Sequence, residues 1–366
     1  MGADGLRAYS VRRVRSRVRA LLVLAVLLPS WAGAVDLRGA SRLWVGPGFD
    51  TNARRDFVTS NAGPAPDGFL FALGTVDGVI EGERFRLSAT YDVAARKFFL
   101  LPSEDTIVNS VTGEFLFGLA QVFNVGLFGN ARDRRGADRD YTSLVGQAFI
   151  DFLPTPAIDV RLKVGATRFL FWPRFAYSYS GPTGDLSARY RFDRRHSVSL
   201  FGSFNPRTYN GNVNPRPDEA ETPVLRRFDP FFVVGAGYSY RGPFHFTVGY
   251  SYLDQTSNSY GETLRRHRLS ATAGFRLPAK FTLLTTGALQ LTSFPDGIFL
   301  SPDLQVVEDD ENSSSLTLKL VRPVHEHVDL DVRYALYVNV LPQRVSGREQ
   351  LLYVRNVFSI GVTISF

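Results

Sequence analysis

Few residues in this chain combine the types and spacing that chemistry requires. His325-Glu326-His327 sets two imidazoles two residues apart, which suits a metal ion, but no third ligand is near in sequence and the run falls in an expected tight turn. Glu308-Asp-Asp-Glu311 is dense enough in carboxylates to attract calcium. It lacks the alternation of a calcium-binding loop, so an ordinary solvated loop is expected. Acid–base catalysis at the rim of a strand-rich protein needs His beside Ser or Asp. Of the five His, His196, His325 and His327 sit at expected turns and His245 lies close to one, leaving His267 towards the opposite end. The sequence gives no reason to expect an enzyme, a metal or a cofactor. Gly235-Ala-Gly237 is no nucleotide loop either, because it lies inside a strand-like run with both glycines on one face.

What remains is charge that recurs at every second position of otherwise apolar stretches. In Phe244–Tyr252, Phe244, Phe246, Val248, Tyr250 and Tyr252 share one face, opposite His245, Thr247, Gly249 and Ser251. In Val328–Leu336, Val328, Leu330, Val332, Tyr334 and Leu336 oppose Asp329, Asp331 and Arg333. The last stretch repeats the pattern: Phe358, Ile360, Val362, Ile364 and Phe366 oppose Ser359, Gly361, Thr363 and Ser365. A strand with one face in oil and one in water cannot stand alone in a membrane, where each unpaired N–H or C=O costs several kcal/mol, so the pattern demands a closed barrel. The same alternation would also suit an edge strand of a soluble sandwich.

Seven hairpins organise the chain, turning at Glu81–Arg84, Gly118–Gln121, Leu153–Pro156, Asp193–Arg195, Arg241–Pro243, Leu277–Lys280 and Arg322–His327. Longer, more polar connections are expected at 53–66, 94–107, 132–141, 205–228, 255–264, 294–312 and 342–350. With one strand before the hairpins (Ser41 to Asp50) and one after (Leu352 to Phe366), the count is sixteen, within a range of 14–18. The expected fold is therefore all-β: a transmembrane, antiparallel, up-and-down barrel with short periplasmic turns and longer extracellular loops. Aromatic girdles are expected from Phe85, Tyr91, Tyr190, Phe192, Tyr240 and Phe281. The hairpin is the only internal repeat, and residues 35–40 give no room for a plug domain.

Composition agrees with this organisation. Arg12, Arg13, Arg15, Arg17 and Arg19, the apolar run Leu21 to Leu28 and Ala32-Gly33-Ala34 read as a secretory signal peptide over residues 1–34, with the barrel over 35–366. The basic region lies far from Met1, which places the expected start later. Six Arg and one Asp in the leader leave 36 basic and 34 acidic residues in the mature 332, so the basic balance is mostly the leader's and nucleic-acid binding is not expected. The absence of Cys excludes a disulfide framework and an acylated lipoprotein anchor.

The terminal stretch ending in Phe366 resembles the C-terminal strand of bacterial outer-membrane barrels, in which alternating apolar residues up to a final Phe are read by the barrel assembly machinery. Leu43-Trp-Val-Gly-Pro-Gly-Phe-Asp-Thr-Asn52 is similar to the first strand of a broad group of porins. Some members of that group resemble the barrels of exopolysaccharide-export porins. The resemblance implies a bacterial outer-membrane location, contact with membrane lipids and lipopolysaccharide, and, for an export conduit, a separate periplasmic partner, since the helical repeats that often accompany such barrels are missing. Arg54-Arg55, Arg134-Arg135, Arg226-Arg227 and Arg265-Arg266, at or near outer loops, could hold lipopolysaccharide phosphates or acidic glycans; solubility and local pairing account for them equally well.

If the apolar face meets lipid, the other face lines the interior. Alternation assigns to it Arg42, Arg86, Arg161, Lys163, Arg189, Arg191, Arg266, Arg268, Arg276, Lys319, Arg333 and Arg355, with Asp92, Glu114, Asp151, Asp159, Asp193, Asp329 and Asp331. Cations are in excess, so the expectation is a water-filled pore of mild anion preference, either a diffusion porin or a polysaccharide conduit. The alternatives are a filled lumen of paired charges in a non-conducting barrel that anchors an envelope complex, and, less favoured, an embedded enzyme.

Overall fold

The structure, a computed structural model, describes residues 35–55, 63–136, 139–215, 225–296, 313–341 and 351–366. Eighteen strand segments follow one another: β1 (Asp36–Asp50), β2 (Asp67–Glu81), β3 (Phe85–Phe98), β4 (Thr106–Ala120), β5 (Phe123–Arg135), β6 (Tyr141–Thr155), β7 (Ile158–Phe171), β8 (Tyr179–Arg191), β9 (His196–Phe204), β10 (Arg207–Asn212), β11 (Arg226–Asp229), β12 (Phe231–Arg241), β13 (His245–Gln255), β14 (Leu264–Arg276), β15 (Thr282–Ser293), β16 (Ser314–His325), β17 (Val328–Leu341) and β18 (Leu351–Ser365). Each pairs antiparallel with its sequence neighbour from β1 to β9 and from β12 to β18; β9 pairs with β12, and β18 pairs with β1. Sixteen strands thus form a closed up-and-down ring with no free edge.

The two remaining segments extend that ring. Pro206 separates β9 from β10 and Pro230 separates β11 from β12, and proline removes a ladder donor at each break. Beyond the breaks, β10 pairs with β8 and β11, so the hairpin rises above the ring. The long connection expected at 205–228 therefore carries strand structure, and its remaining part, 216–224, lies outside the described residues.

The seven hairpin turns fall where the alternation predicts, with three shifts. Gly118, Leu119 and Ala120 belong to β4, so that turn is Gln121-Val122. Leu153 and Pro154 belong to β6, so that turn is Pro156-Ala157, and Arg322 to Val324 belong to β16, so that turn is Glu326-His327. All three shifts coincide with register irregularities, and at the latter two the irregularity takes up a proline inside a strand end. The first strand begins at Asp36 rather than Ser41. One connection escaped the sequence reading altogether: Trp172 to Ser178, between β7 and β8, which includes a 3-10 turn at Phe175–Tyr177. It is short and aromatic rather than polar, so composition does not mark it. The connections expected at 294–312 and 342–350 lie largely outside the described residues.

Period 2 sorts every strand of the ring. Large apolar side chains stand exposed on the outward face, among them Val76, Val111, Leu127, Ile150, Val164, Leu186, Leu200, Leu289 and Ile360. Buried apolar clusters lie on the inward side near the rim that carries the long connections: Tyr141, Phe169 and Phe171 with Tyr177 and Tyr179, and Ala53, Phe69 and Phe98 with Phe71, Leu101 and Val357. An apolar belt on the outside, with the buried apolar clusters gathered at one inner rim, is the reverse of a soluble core.

Ring closure carries its own fastenings. Phe366 N donates to Ser41 O at 2.9 Å and Ser41 N to Phe366 O at 3.0 Å. On the inward face, the Trp44 indole donates to Asp331 at 2.7 Å and lies over Gly361, where a Cβ would come within 2.3 Å of the ring. Higher on the same seam, Arg355 on β18 holds Asp50 on β1 through a 2.6 Å ion pair; the two side chains are 2% and 0% exposed. Asp50 also accepts the N–H of Asn52, whose amide reaches Val354 O on β18. The Asp and Asn that end the first strand thus join it to the last one.

Candidate functional site

The inward face divides into two walls. On β1 to β8 and β16 to β18, acids and bases interleave. Arg161 donates to Asp151 at 2.6 Å and to Glu114 at 3.0 Å, and its guanidinium lies 4.3 Å from the Phe149 ring centroid. Arg42 is 3.5 Å from Asp77, and Lys319 is 3.6 Å from Asp331. Lys163 sits 4.4 Å over Phe128, and Asp92 accepts the Thr75 hydroxyl at 2.7 Å. Arg191 donates to Pro156 O at 2.8 Å and lies 3.8 Å from Asp159.

On β9 and β12 to β15 the composition changes. The sole carboxylate in these five strands is Asp254, which faces outward and pairs with Arg265 at 3.2 Å. The inward positions are Ser197, Ser199, Phe201 and Ser203, then Val233, Gly235, Gly237 and Ser239, then Thr247, Gly249 and Ser251, then Ser270 and Thr272. Gly235 has a specific reason to be glycine: a Cβ there would meet the Phe201 ring at 2.3 Å. Inward cations on this wall are Arg266, buried and donating to Thr292 at 3.2 Å, the half-buried Arg268, and the exposed Arg241 and Arg276.

At the long-connection rim the interior is packed. Arg227 on β11 pairs with Asp229 at 2.5 Å and lies 3.1 Å from Glu262; its guanidinium sits 4.1 Å over Tyr209. Gln255 and Ser257 complete the shell of Asp229. Burial pushes the Glu262 carboxyl up to about 7 against the pull of Arg227. Arg207 lies between Tyr179 and Phe231, at 4.6 and 4.0 Å.

The remaining sequence-predicted positions are placed as follows. Arg86, Arg189 and Arg333 are exposed on the inward face, and Asp329 is half-buried there. Asp193 lies in the turn between β8 and β9; its carboxylate accepts the N–H of Arg195 and His196, at 2.6 and 2.8 Å, which holds it below the usual carboxylate range. It is a turn cap. The arginine pairs do not act as pairs: strand geometry turns Arg134 and Arg266 inward and Arg135 and Arg265 outward, and Arg227 is buried while Arg226 is exposed. Arg135 and Arg265 pair with Asp133 and Asp254. His325 and His327 stand 6.1 Å apart between ring centroids, and among the described residues no three His, Cys, Asp or Glu gather into a metal site. Glu308–Glu311 lies outside the described residues. Phe358, Ile360 and Val362 are exposed outward with the half-buried Ile364, and the Phe366 ring stacks on His327 at 6.4 Å.

Inward aromatics are what the sequence reading missed. Phe69, Phe71, Phe128, Phe149, Tyr179, Phe231 and Tyr337 all meet Arg or Lys on the inner face. Their parity within each strand, shared with the polar face, was the available signal. The aromatic girdle of the short-turn rim is present outside: Tyr190 with Phe192 at 4.9 Å, Phe123 with Phe152 at 4.9 Å, and Tyr240 with Phe244 at 5.2 Å.

No protein-family model matches this chain, and no curated protein matches it. Solved structures do. The outer membrane channel DcaP of Acinetobacter baumannii aligns with a TM-score of 0.52 at 10% identity, over 91% of this chain and 98% of that one. Salmonella typhi OmpF, in a complex with daunomycin, aligns at 0.49 and 10% identity, over 91% and 97%. The alignment with DcaP, together with the closed sixteen-strand ring, shows that the chain has the fold of a bacterial outer-membrane β-barrel channel.

Proposed function

We propose that this protein is an integral outer-membrane channel with a water-filled lumen of mild anion preference. The exposed apolar belt, too large to leave in water, supports a membrane location, and the signal-peptide pattern supports export. Phe366 and the outward residues before it are the proposed signal to the assembly machinery, and the outward surface is the proposed contact with lipids and lipopolysaccharide. The observation that carries the channel reading is the acid-free wall of small and hydroxylated residues, which adds cations to the lumen without balancing carboxylates. Arg86, Arg189 and Arg333 add to it from the other wall. Single-channel recordings of the purified protein across an asymmetric salt gradient test this. The expected reversal potential has the sign of anion preference; cation preference, or no conductance, defeats the reading.

A finer reading is a conduit for an acidic polysaccharide, served by a periplasmic partner. It is supported by Phe201, an exposed ring on the inward face within the acid-free wall, which offers a sugar face a surface to stack on. Deletion of the gene tests it: surface glycan is lost if the conduit reading is right and retained if the protein is a diffusion porin.

A further inference from the structure

At the foot of the acid-free wall, three exposed inward side chains stand on consecutive strands: Arg241 ends β12, His245 begins β13 and Arg276 ends β14. Arg241 and His245 are directly paired across the β12–β13 ladder. His245 is paired with Gly274, two residues before Arg276 on the same face. With strands about 4.8 Å apart, two guanidinium groups and an imidazole therefore fall within the reach of one small anion. None of the three has an ion-pair or hydrogen-bond partner among the described residues. Asp193, in the neighbouring turn between β8 and β9, is engaged with backbone N–H groups, and Asp254 on β13 faces outward. Above them lie the hydroxyls of Ser239 and Thr247, hydrogen-bonded to each other at 2.9 Å, and of Thr272.

A cluster of cations at a mouth is usually balanced, as on the opposite wall, where Arg38 is flanked by Asp36 and Glu81. Here the balancing group is missing from five strands in a row. Arginine presents donors in a planar fork that matches the paired oxygens of a phosphoryl or carboxylate group, whereas chloride, a single atom, cannot make the two parallel bonds.

We infer that Arg241, His245 and Arg276 form an oxyanion-binding subsite at the short-turn mouth, selective for phosphoryl-type anions and filled before the solute enters the lumen. The inference rests on the channel reading for its role in transport, but its binding chemistry does not depend on conduction.

The test is calorimetric titration of the full-length barrel in detergent with inorganic pyrophosphate at low salt, with folding checked by heat-modifiable gel migration. The wild type is expected to bind. Arg241→Gln with Arg276→Gln is expected to weaken binding at least about tenfold. Arg241→Lys with Arg276→Lys keeps the charge and the fold and should fall between them, because the fork is lost. Arg168→Gln, on the outward face, should bind as the wild type does. In planar bilayers, pyrophosphate should reduce chloride current when added at the short-turn mouth and not at the other. Absence of binding in the wild type, equal binding in the glutamine double variant, or equal loss in Arg168→Gln would overturn the subsite. Binding without any conductance would leave the subsite standing and overturn the channel reading instead.

Discussion

The two walls of the barrel use arginine for opposite purposes. On the β16 to β8 side, Arg161 and Arg355 each satisfy carboxylates that are themselves 4% and 0% exposed, so the cation is a structural part. On the β9 to β15 side, Arg241 and Arg276 reach into open space with no acid to meet. The lesson is that inward charge in a barrel is not one category. A buried pair is silent towards solutes and costly to break, whereas an unbalanced exposed cation is free to act on what passes.

Removing single arginines is the harshest way to break the comparison. Arg355→Leu strands the fully buried Asp50 without its cation and should cost about 3–5 kcal/mol in stability against denaturant. The double variant with Asp50→Leu should recover most of that loss. Arg276→Leu should stay within about 0.5 kcal/mol of the wild type. Equal losses at Arg355 and Arg276 would erase the distinction between the walls.

Putting an acid where there is none sharpens the comparison. Ser251→Glu, at mid-height in the acid-free wall, should move the reversal potential towards cations. Asp92→Asn, which removes a carboxylate from the interleaved wall, should move it the other way and by less. A larger shift from Asp92→Asn would show that the interleaved wall, not the acid-free one, sets selectivity.

The smallest expected effect belongs to the packed rim. The Glu262 carboxyl titrates near 7 in the folded protein instead of at the ordinary 4.5. The folded state therefore favours its protonated form. Its contribution to stability is full below about pH 4.5 and is lost as pH rises through about 7. Limited proteolysis of the 256–263 connection should speed up between pH 5 and pH 8 in the wild type. In Glu262→Gln that change should disappear; an unchanged pH response in the variant would assign it to another group.

Much of this architecture was legible in the sequence because period 2 is a strong signal wherever one face is apolar. The parity that places Phe246 outward places Thr247 inward without further information, and seven turns follow from where the parity breaks. The connection at Trp172 to Ser178 was not legible because it is aromatic and short. The extension of β10 and β11 was not legible because Pro206 and Pro230, which read as loop, serve only to break long strands. Candidate interior positions were visible one by one, but the acid-free wall was not. It is a property of strands adjacent in the ring, and it emerges only once β9 is seen to pair with β12.

The central claim is that successive residues along each strand meet water and lipid in turn. Because the chain contains no cysteine, single cysteines placed at 246 to 251 on β13 give an unambiguous test in proteoliposomes with a charged, membrane-impermeant thiol reagent. Positions 247, 249 and 251 should label, and 246, 248 and 250 should not. Equal labelling of both sets, or labelling of the even set alone, would contradict the account.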